Sequence, residues 1–426
     1  MVDLRFVHAA DLHLGSPFVG ISSLDSAVGR AMQRASFEAF DALLAFCREQ
    51  RADFLLIAGD VYDSEDRNLA AQLRFVRGLN KLAEDGIPSF VVHGNHDPLT
   101  QRVREFAFHR DVHVFGCEQV ESFTFSRGTD ERARIYGISY GKREVKTNLA
   151  KGFLKEDSAP FSIALLHANL GGQTGHDDYA PCSLDDLVSM HMDYVALGHV
   201  HTHQVIWPKG SVIVYPGNIQ GRSVCETGPR GCCMVQVEGH RQSINVEIEF
   251  RALDVVRWGV IDVAIDNVFD VGELVEVLEK RCVAEQAQAN GRPLIIRLKL
   301  VGRGPVHSDL FRPDSIVAVR NDLQERFHAS EPFIWVESVV DESHGQWDRE
   351  KISCGNDFNA DLVRLVDSIL VDPQAKSQAL KTLDDLYCNR LINKAIEQPK
   401  DQNLIELIKK AEIRCLDCLL REEKSC

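Results

Sequence analysis

The sequence predicts an α/β fold, followed by a smaller α+β unit and a helical C-terminal region. Over residues 1–250, short apolar runs alternate with amphipathic helical stretches, which is typical of a sheet covered by helices. Over 251–350 the pattern is a compact mixture of strands and helices, without a cluster of metal-type ligands. Over 351–426 the apolar spacing is helical. We therefore predict three domains, 1–250, 251–350 and 351–426.

The elements of the first domain follow from this alternation. We predict its strands at 3–8, 53–58, 89–93, 161–166, 194–197, 212–215, 232–237 and 244–250. Apolar residues at three- and four-residue steps predict two helices, at 24–50 and 67–84.

The same reading applies to the rest of the chain. In the second domain we predict strands at 258–265, 294–301 and 333–339 and helices at 272–288 and 316–327. In the third we predict helices at 361–370, 377–394 and 403–421, separated by Asp372-Pro373 and Gln398-Pro399.

Composition limits the class of protein. The chain has 426 residues, of which 44% are hydrophobic and 26% charged, so it can bury a core and is not a disordered or collagen-like protein. No apolar run reaches the roughly 18 residues of a membrane span, and no signal peptide is evident. With twelve scattered cysteines, these features predict a cytoplasmic protein with reduced thiols and no membrane contact. The net charge of −15 disfavours strong autonomous binding to nucleic acid.

Five short motifs contain residue types that bind metals, and four of them end a predicted strand. Because the carboxyl ends of parallel strands meet at one sheet edge, we expect these side chains to converge. Aspartate and histidine suit manganese, iron or zinc. Besides His96, these motifs hold two aspartates, one asparagine and four histidines, which are too many for one tetrahedral site and fit two adjacent metals. The motifs are DLH (Asp11, His13), GD (Asp60), GNHD (Asn95, His96), a strand-terminal His167, and GHVH (His199, His201).

In this order, the motifs resemble those of the calcineurin-like metallophosphoesterase superfamily. DLHLGSPF, GDVYD in place of the phosphatases' GDxxDRG, and an α+β unit followed by helices are similar to SbcD-type DNA repair exonucleases. QGRSVCETGPRG at 220–231 is similar to the YhaO branch of that group. The resemblance implies an αββα sandwich, an α+β capping domain and a helical tail that docks a partner.

The resemblance also implies roles for the motif residues. His96 would contact the scissile phosphate without binding metal, and Asp63 would orient His96. No other cofactor-binding residue is implied. The two ions would be Mn²⁺, with iron, zinc or magnesium as alternatives. One ion would be held by Asp11, His13, Asp60 and His201, and the second by Asp60, Asn95, His167 and His199, with Asp60 as the bridge.

The implied activity is hydrolysis of DNA phosphodiester bonds, as an exonuclease or endonuclease in DNA repair. The implied partner is an SbcC-like coiled-coil ATPase. No GxxxxGK[ST] occurs in the chain, so we expect that ATPase on a separate polypeptide. A phosphodiesterase for small nucleotides, which the acidic surface favours, remains an alternative. A catalytically idle scaffold and a homodimer also stay open.

The tail supports two interpretations. Leu362, Val366, Ile369 and Leu370 recur at helical spacing, which predicts an amphipathic helix that docks the ATPase. The alternative is that this helix packs on the protein's own core.

Overall fold

The structure is a computed structural model. It describes residues 2–16, 26–63, 69–99, 107–156, 158–171, 179–240, 243–312, 314–383 and 401–422. It has two compact units. The first contains Met1–Gly259, Glu285–Ile296 and Ser330–Trp335, and the second contains Val260–Ala284, Arg297–Ala329 and Val336–Cys426. The division into the three domains 1–250, 251–350 and 351–426 stays a prediction.

Fifteen strands lie in the described part of the chain. They are β1 Val2–Ala9, β2 Phe54–Ala58, β3 Ser89–Val92, β4 Val112–Val114, β5 Glu121–Arg127, β6 Asp130–Ile138, β7 Ser162–His167, β8 Tyr194–Gly198, β9 Gln204–Ile206, β10 Val212–Tyr215, β11 Gly231–His240, β12 Ser243–Ala252, β13 Arg257–Ala264, β14 Leu294–Val301 and β15 Ile334–Asp341.

Ten helices lie in the same residues, besides a short 3₁₀ turn. They are α1 Ser26–Glu49, α2 Leu69–Glu84, α3 Leu184–Ser189, α4 Val271–Gln288, α5 His307–Leu310, α6 Ser315–Arg326, α7 Arg349–Ser353, α8 Phe358–Val371, α9 Pro373–Thr382 and α10 Asp401–Glu422. No described helix is long and apolar enough to cross a bilayer.

Two six-stranded sheets form the first unit. Their strand orders are β12-β11-β1-β2-β3-β4 and β5-β6-β7-β8-β10-β9. The strands that end at the predicted motifs pair in parallel, β1 with β2 and β2 with β3 in one sheet and β7 with β8 in the other. Parallel pairing places their carboxyl ends at the same edge of each sheet. A third sheet has the order β13-β14-β15.

Three apolar layers confirm the predicted αββα sandwich. Residues from both sheets, such as Phe6, Phe54 and Leu165, form one buried cluster between the sheets. A second cluster joins the first sheet to α1 and α2, with Phe40 and Phe75 among its members. A third covers the outer face of the second sheet. Strands covered on both faces explain the continuous apolar runs in the sequence.

The predicted strands are present with small shifts at their ends, but β4, β5, β6 and β9 were not predicted. Three of these, β4, β5 and β9, are the edge strands of their sheets. Edge strands are short or half-exposed, so they lack a continuous apolar run. In β5, half-buried and exposed residues alternate along the strand. The fourth, β6, begins with DERA. This charged start interrupts the apolar pattern from which a strand is predicted.

The start of one predicted helix also needs correction. The helix predicted at 377–394 begins at Pro373, because the Asp372 side chain caps its first turn and proline suits the first helical position. Residues 384–394, 24–25 and 67–68 lie outside the described residues. In the tail, Val363 and Val366 of α8 are buried, and α8 packs against α7 and α10.

Candidate metal centre

The predicted motif residues come together at the carboxyl ends of β1, β2, β3, β7 and β8. Three groups of potential donor residues form there, and within each group the donor atoms lie within 4.8 Å of one another. The Asp60 carboxylate belongs to the middle of the site, since its Oδ2 lies 3.4 Å from His167 Nε2 and 4.0 Å from His13 Nε2. The groups are Asp11, His13 and His201; His13, Asp63 and His96; and Asp11, Asp60 and His167.

Asn95 and His199 lie beside these groups. The Asn95 Oδ1 is 3.0 Å from His167 Nε2. The His199 ring is edge-on to that of His167, with centroids 5.2 Å apart, and its backbone N–H donates to Asp11. His199 is not a member of the three groups formed by the described residues. Whether Asn95 and His199 bind metal stays a prediction.

The backbone at this site is strained. Asp11, His13, Asp60 and His199 have φ values of 51°, 42°, 49° and 101°, a region that non-glycine residues rarely adopt. Such conformations cost of order 1 kcal/mol each and persist where the surrounding structure enforces them, which is often at functional sites. Gly94 meets a second constraint, because a Cβ there would lie 2.3 Å from Asp60 Oδ1.

The charges of the site fit divalent cations. Asp11 and Asp60 are each 1% exposed, and two buried carboxylates need positive charge nearby. Burial and the Arg222 guanidinium lower the pKa of His13 well below its usual value, so this imidazole is neutral, the form that binds metal. The Nε2 atoms of His13 and His201 are 3.3 Å apart, a spacing that a shared ion accommodates.

The surroundings of His167 also favour positive charge. Burial lowers the pKa of His167, but the Asp60 and Asp11 carboxylates raise it to about 9. Its Nδ1 lies 2.9 Å from the Ala58 carbonyl oxygen, to which it donates. This hydrogen bond directs Nε2 toward Asp60. In metal-binding histidines, the ring nitrogen that does not bind the metal typically donates a hydrogen bond of this kind.

His96 and Asp63 form the predicted pair. His96 Nδ1 is hydrogen-bonded to Asp63 Oδ1, so Nε2 is the ring nitrogen that can face a ligand. Asp63 Oδ2 also accepts from the Ser16 hydroxyl over 2.5 Å. Burial lowers the pKa of His96, but the hydrogen bond to Asp63 and the charge of Asp60 raise it above the usual value.

Sequence reasoning missed two residues of the site. Glu226 Oε1 lies 2.7 Å from His201 Nδ1, and Arg222 Nη1 donates to Asp63 Oδ2 over 3.0 Å. Both belong to QGRSVCETGPRG, a segment whose sequence indicates a family likeness but no role for either residue. Charged residues in a loop carry no periodic signal, so only their proximity to His201 and Asp63 identifies them.

A third residue of the GNHD motif has a supporting role that the sequence did not predict. The Asp97 carboxylate accepts from the backbone N–H groups of Val61 and Gly94, at 2.9 and 2.8 Å, and lies 2.7 Å from His93 Nδ1. Asp97 therefore ties the loop that carries Asp60 to the loop that carries Asn95 and His96.

Comparison with known proteins agrees with this geometry. The calcineurin-like phosphoesterase family model matches residues 4–203, and the model of the middle domain of metallophosphoesterase YhaO matches 258–344. These matches define a metal-dependent hydrolase of phosphate esters. The uncharacterized metallophosphoesterase YhaO of Bacillus subtilis is 33% identical over 346 residues, which is 81% of this chain and 83% of that protein. The chain belongs to the YhaO family of metallophosphoesterases.

More distant relatives share part of the chain. The DNA double-strand break repair protein Mre11 of Sulfurisphaera tokodaii is 27% identical over 225 residues, which is 50% of this chain and 53% of that protein. Among solved structures, TT1561 of Thermus thermophilus covers 58% of this chain and 99% of its own, with 12% identity and a TM-score of 0.35.

Proposed function

We propose that the protein is a two-metal phosphodiesterase that cleaves DNA. The observation that carries this proposal is the placement of His96. Its Nδ1 is held by Asp63, and its backbone N–H donates to Asp60 Oδ1 over 3.0 Å. The side chain is 29% exposed, and its ring centroid lies 5.0 Å from that of the buried His13, so His96 lies beside the buried donors and within reach of a ligand.

The residues divide into two overlapping sets that meet at Asp60. Asp11, His13 and His201 would hold one ion, and Asn95, His167 and His199 the other. Bound divalent ions supply Lewis-acid polarisation of a phosphate ester. His96, oriented by Asp63, would stabilise charge on the phosphoryl oxygens or protonate the leaving oxygen. The native ion would be Mn²⁺, because the mixed Asp, Asn and His donors suit a borderline-hard metal.

DNA is the substrate we favour because the Mre11 relatives, named as DNA double-strand break repair proteins, align with half of the chain. The test is cleavage of end-labelled DNA with Mn²⁺, beside hydrolysis of bis-p-nitrophenyl phosphate. The Asp60→Ala protein, purified in parallel, controls for contaminating nucleases. Cleavage of neither substrate by the metal-loaded protein would overturn the proposal.

A phosphodiesterase for small nucleotides is the second candidate. The net charge of −15 favours it, because an acidic surface repels the DNA backbone beyond the metal centre. Hydrolysis of cyclic nucleotides or bis-p-nitrophenyl phosphate, without DNA cleavage alone or with an ATPase partner, would favour this candidate over the first.

The C-terminal helices would dock a coiled-coil ATPase of the SbcC type. On α8, Leu365 and Val371 are 56% and 82% exposed, and exposed apolar side chains of this kind mark docking surfaces. Leu365→Asp and Val371→Asp should weaken binding of a purified SbcC-like ATPase in size-exclusion chromatography. Leu154→Asp is the matched control, since Leu154 is 80% exposed in the first unit. Equal binding by all variants would argue against docking at α8.

We also propose a cytoplasmic location. No disulfide joins the ten cysteines of the described residues, as expected in a reducing compartment.

A further inference from the structure

Arg222 lies at the partly exposed side of the metal centre, which we call the rim and define as Asp63, His96 and Arg222. The rim side chains are 20%, 29% and 21% exposed. In contrast, the side chains of Asp60 and His167 are at most 2% exposed. A ligand that enters from solvent therefore meets the rim before it reaches the buried donors.

The Arg222 guanidinium has N–H groups that no acceptor in the described residues satisfies. Nη1 donates to Asp63 Oδ2 over 3.0 Å, but Nη2 lies 3.6 Å from Glu226 Oε1, beyond hydrogen-bond distance. The Nε–H is buried and has no hydrogen-bond partner in the described residues. A buried donor without an acceptor costs free energy. The planar fork of arginine matches the oxygens of a phosphate group, which can satisfy such donors.

The loop holds Arg222 in place before any ligand binds. Its backbone N–H donates to Glu226 Oε2 over 2.7 Å, and Glu226 is itself held by His201 and Asn218. The preceding carbonyl, of Gly221, accepts from the Trp258 indole over 3.0 Å. Because the loop is already ordered, little conformational entropy is lost when Arg222 takes up a ligand.

The positive charge of Arg222 also offsets the negative charge of Asp63 at the rim. Asp63 is needed to orient His96, but its negative charge faces the side from which an anionic phosphodiester would approach. The guanidinium, paired with Asp63, offsets that charge and presents the remaining N–H groups to the anion.

We propose that Arg222 binds a non-bridging oxygen of the phosphodiester beside His96, so that the loop at 220–231 supplies the substrate-binding cation of the site. This inference rests on the proposed function and names the group that recognises its substrate. The class of ligand is a phosphodiester monoanion, with inorganic phosphate as the simplest probe.

The test compares Arg222→Gln and Arg222→Lys with wild type in the full chain loaded with Mn²⁺. For Arg222→Gln we expect the KM for bis-p-nitrophenyl phosphate and the inhibition constant for inorganic phosphate to rise about 10- to 100-fold, as for loss of a hydrogen bond to a charged group. Arg222→Lys should recover part of this loss, because it keeps the charge but not the fork. Metal content should not change. Arg127→Gln is the matched control, since Arg127 also pairs with an aspartate, Asp53, in the first unit.

Three results would overturn the inference. One is a wild-type inhibition constant for phosphate in Arg222→Gln. Another is a fall in kcat alone, which would make Arg222 a positioning residue for Asp63. A third is an equal effect of Arg127→Gln. Failure of the proposed function is distinguishable, because the wild-type protein would then hydrolyse no phosphodiester, while calorimetry with inorganic phosphate would still report whether Arg222 binds the anion.

Discussion

The metal centre in the first unit and a second cluster of histidine and aspartate in the second unit contain the same residue types but differ in hydrogen bonding. We call the second group the Asp417 cluster; it consists of His307, Ser343, His344, Trp347 and Asp417. Asp417 Oδ1 accepts from the Gly345 N–H and the Trp347 indole over 2.7 and 2.6 Å. Its Oδ2 lies 3.7 Å from His307 Nε2.

Asp417 Oδ2 also lies 3.8 Å from His344 Nδ1, and Asp60 Oδ2 at the metal centre likewise faces the side-chain nitrogens of two histidines. The difference lies at the other carboxylate oxygen, because Asp417 Oδ1 accepts from two protein donors whereas Asp60 Oδ1 accepts from the His96 backbone N–H. Four residues at the metal centre have φ in the left-handed region, whereas no member of the Asp417 cluster does. Asp417 is therefore satisfied by protein donors and holds α10 in place. The lesson is that residue type does not separate a metal site from a structural cluster, but hydrogen bonding and backbone strain do.

Asp60→Ala should have the largest effect on activity. It removes the carboxylate shared by both sets of donors, so we expect metal content and hydrolysis of bis-p-nitrophenyl phosphate both to be lost. The fall should exceed the about 10²- to 10⁴-fold typical of losing one general acid. Elemental analysis and turnover measure the two effects. A variant that retains two ions per chain would show that Asp60 is not the bridge.

His96→Ala should lower kcat by about 10²- to 10⁴-fold without loss of metal, because His96 is placed toward the ligand and not among the buried donors. Steady-state kinetics with elemental analysis provides the measurement. Asp63→Asn should act in the same direction but less, since it weakens the orientation of His96 only. Unchanged kcat in His96→Ala would remove this residue from the catalytic machinery.

Glu226→Ala should weaken metal binding by about 10- to 100-fold, because a carboxylate that holds the second nitrogen of a ligand histidine fixes its orientation. Metal titration by calorimetry measures this affinity. Glu226→Gln keeps an oxygen acceptor for His201 and should lose less. If both variants bind metal as wild type does, His201 is oriented by other contacts.

Asp417→Ala should have the smallest effect on activity and a clear effect on stability. It leaves the Gly345 N–H and the Trp347 indole without their acceptor, which we expect to cost about 3 kcal/mol of the free energy of unfolding of the second unit. Chemical denaturation measures this loss, while turnover and metal content should match wild type. Loss of metal in this variant would erase the distinction between the two clusters.

The sequence predicted an α/β fold and the motif residues because both depend on local pattern, whereas the αββα sandwich was implied by the family resemblance. Apolar runs mark buried strands, and residues that follow parallel strands lie at the carboxyl edge of their sheet. These strands are β1, β2 and β3 in one sheet and β7 and β8 in the other. The edge strands β4 and β9 escaped prediction because each has only three residues. The edge strand β5 has only two phenylalanines among polar residues, whereas the predicted edge strand β12 has apolar residues at four alternate positions.

The amino-acid sequence alone determined which candidate donors lie at the site, since each ends or follows a strand whose burial its own neighbours specify. Only the tertiary structure decided which groups support those donors. Arg222 meets Asp63 across 159 positions of chain, and Glu226 meets His201 across 25. Contacts of this kind depend on how sheets and loops pack, and no periodicity in the chain records them.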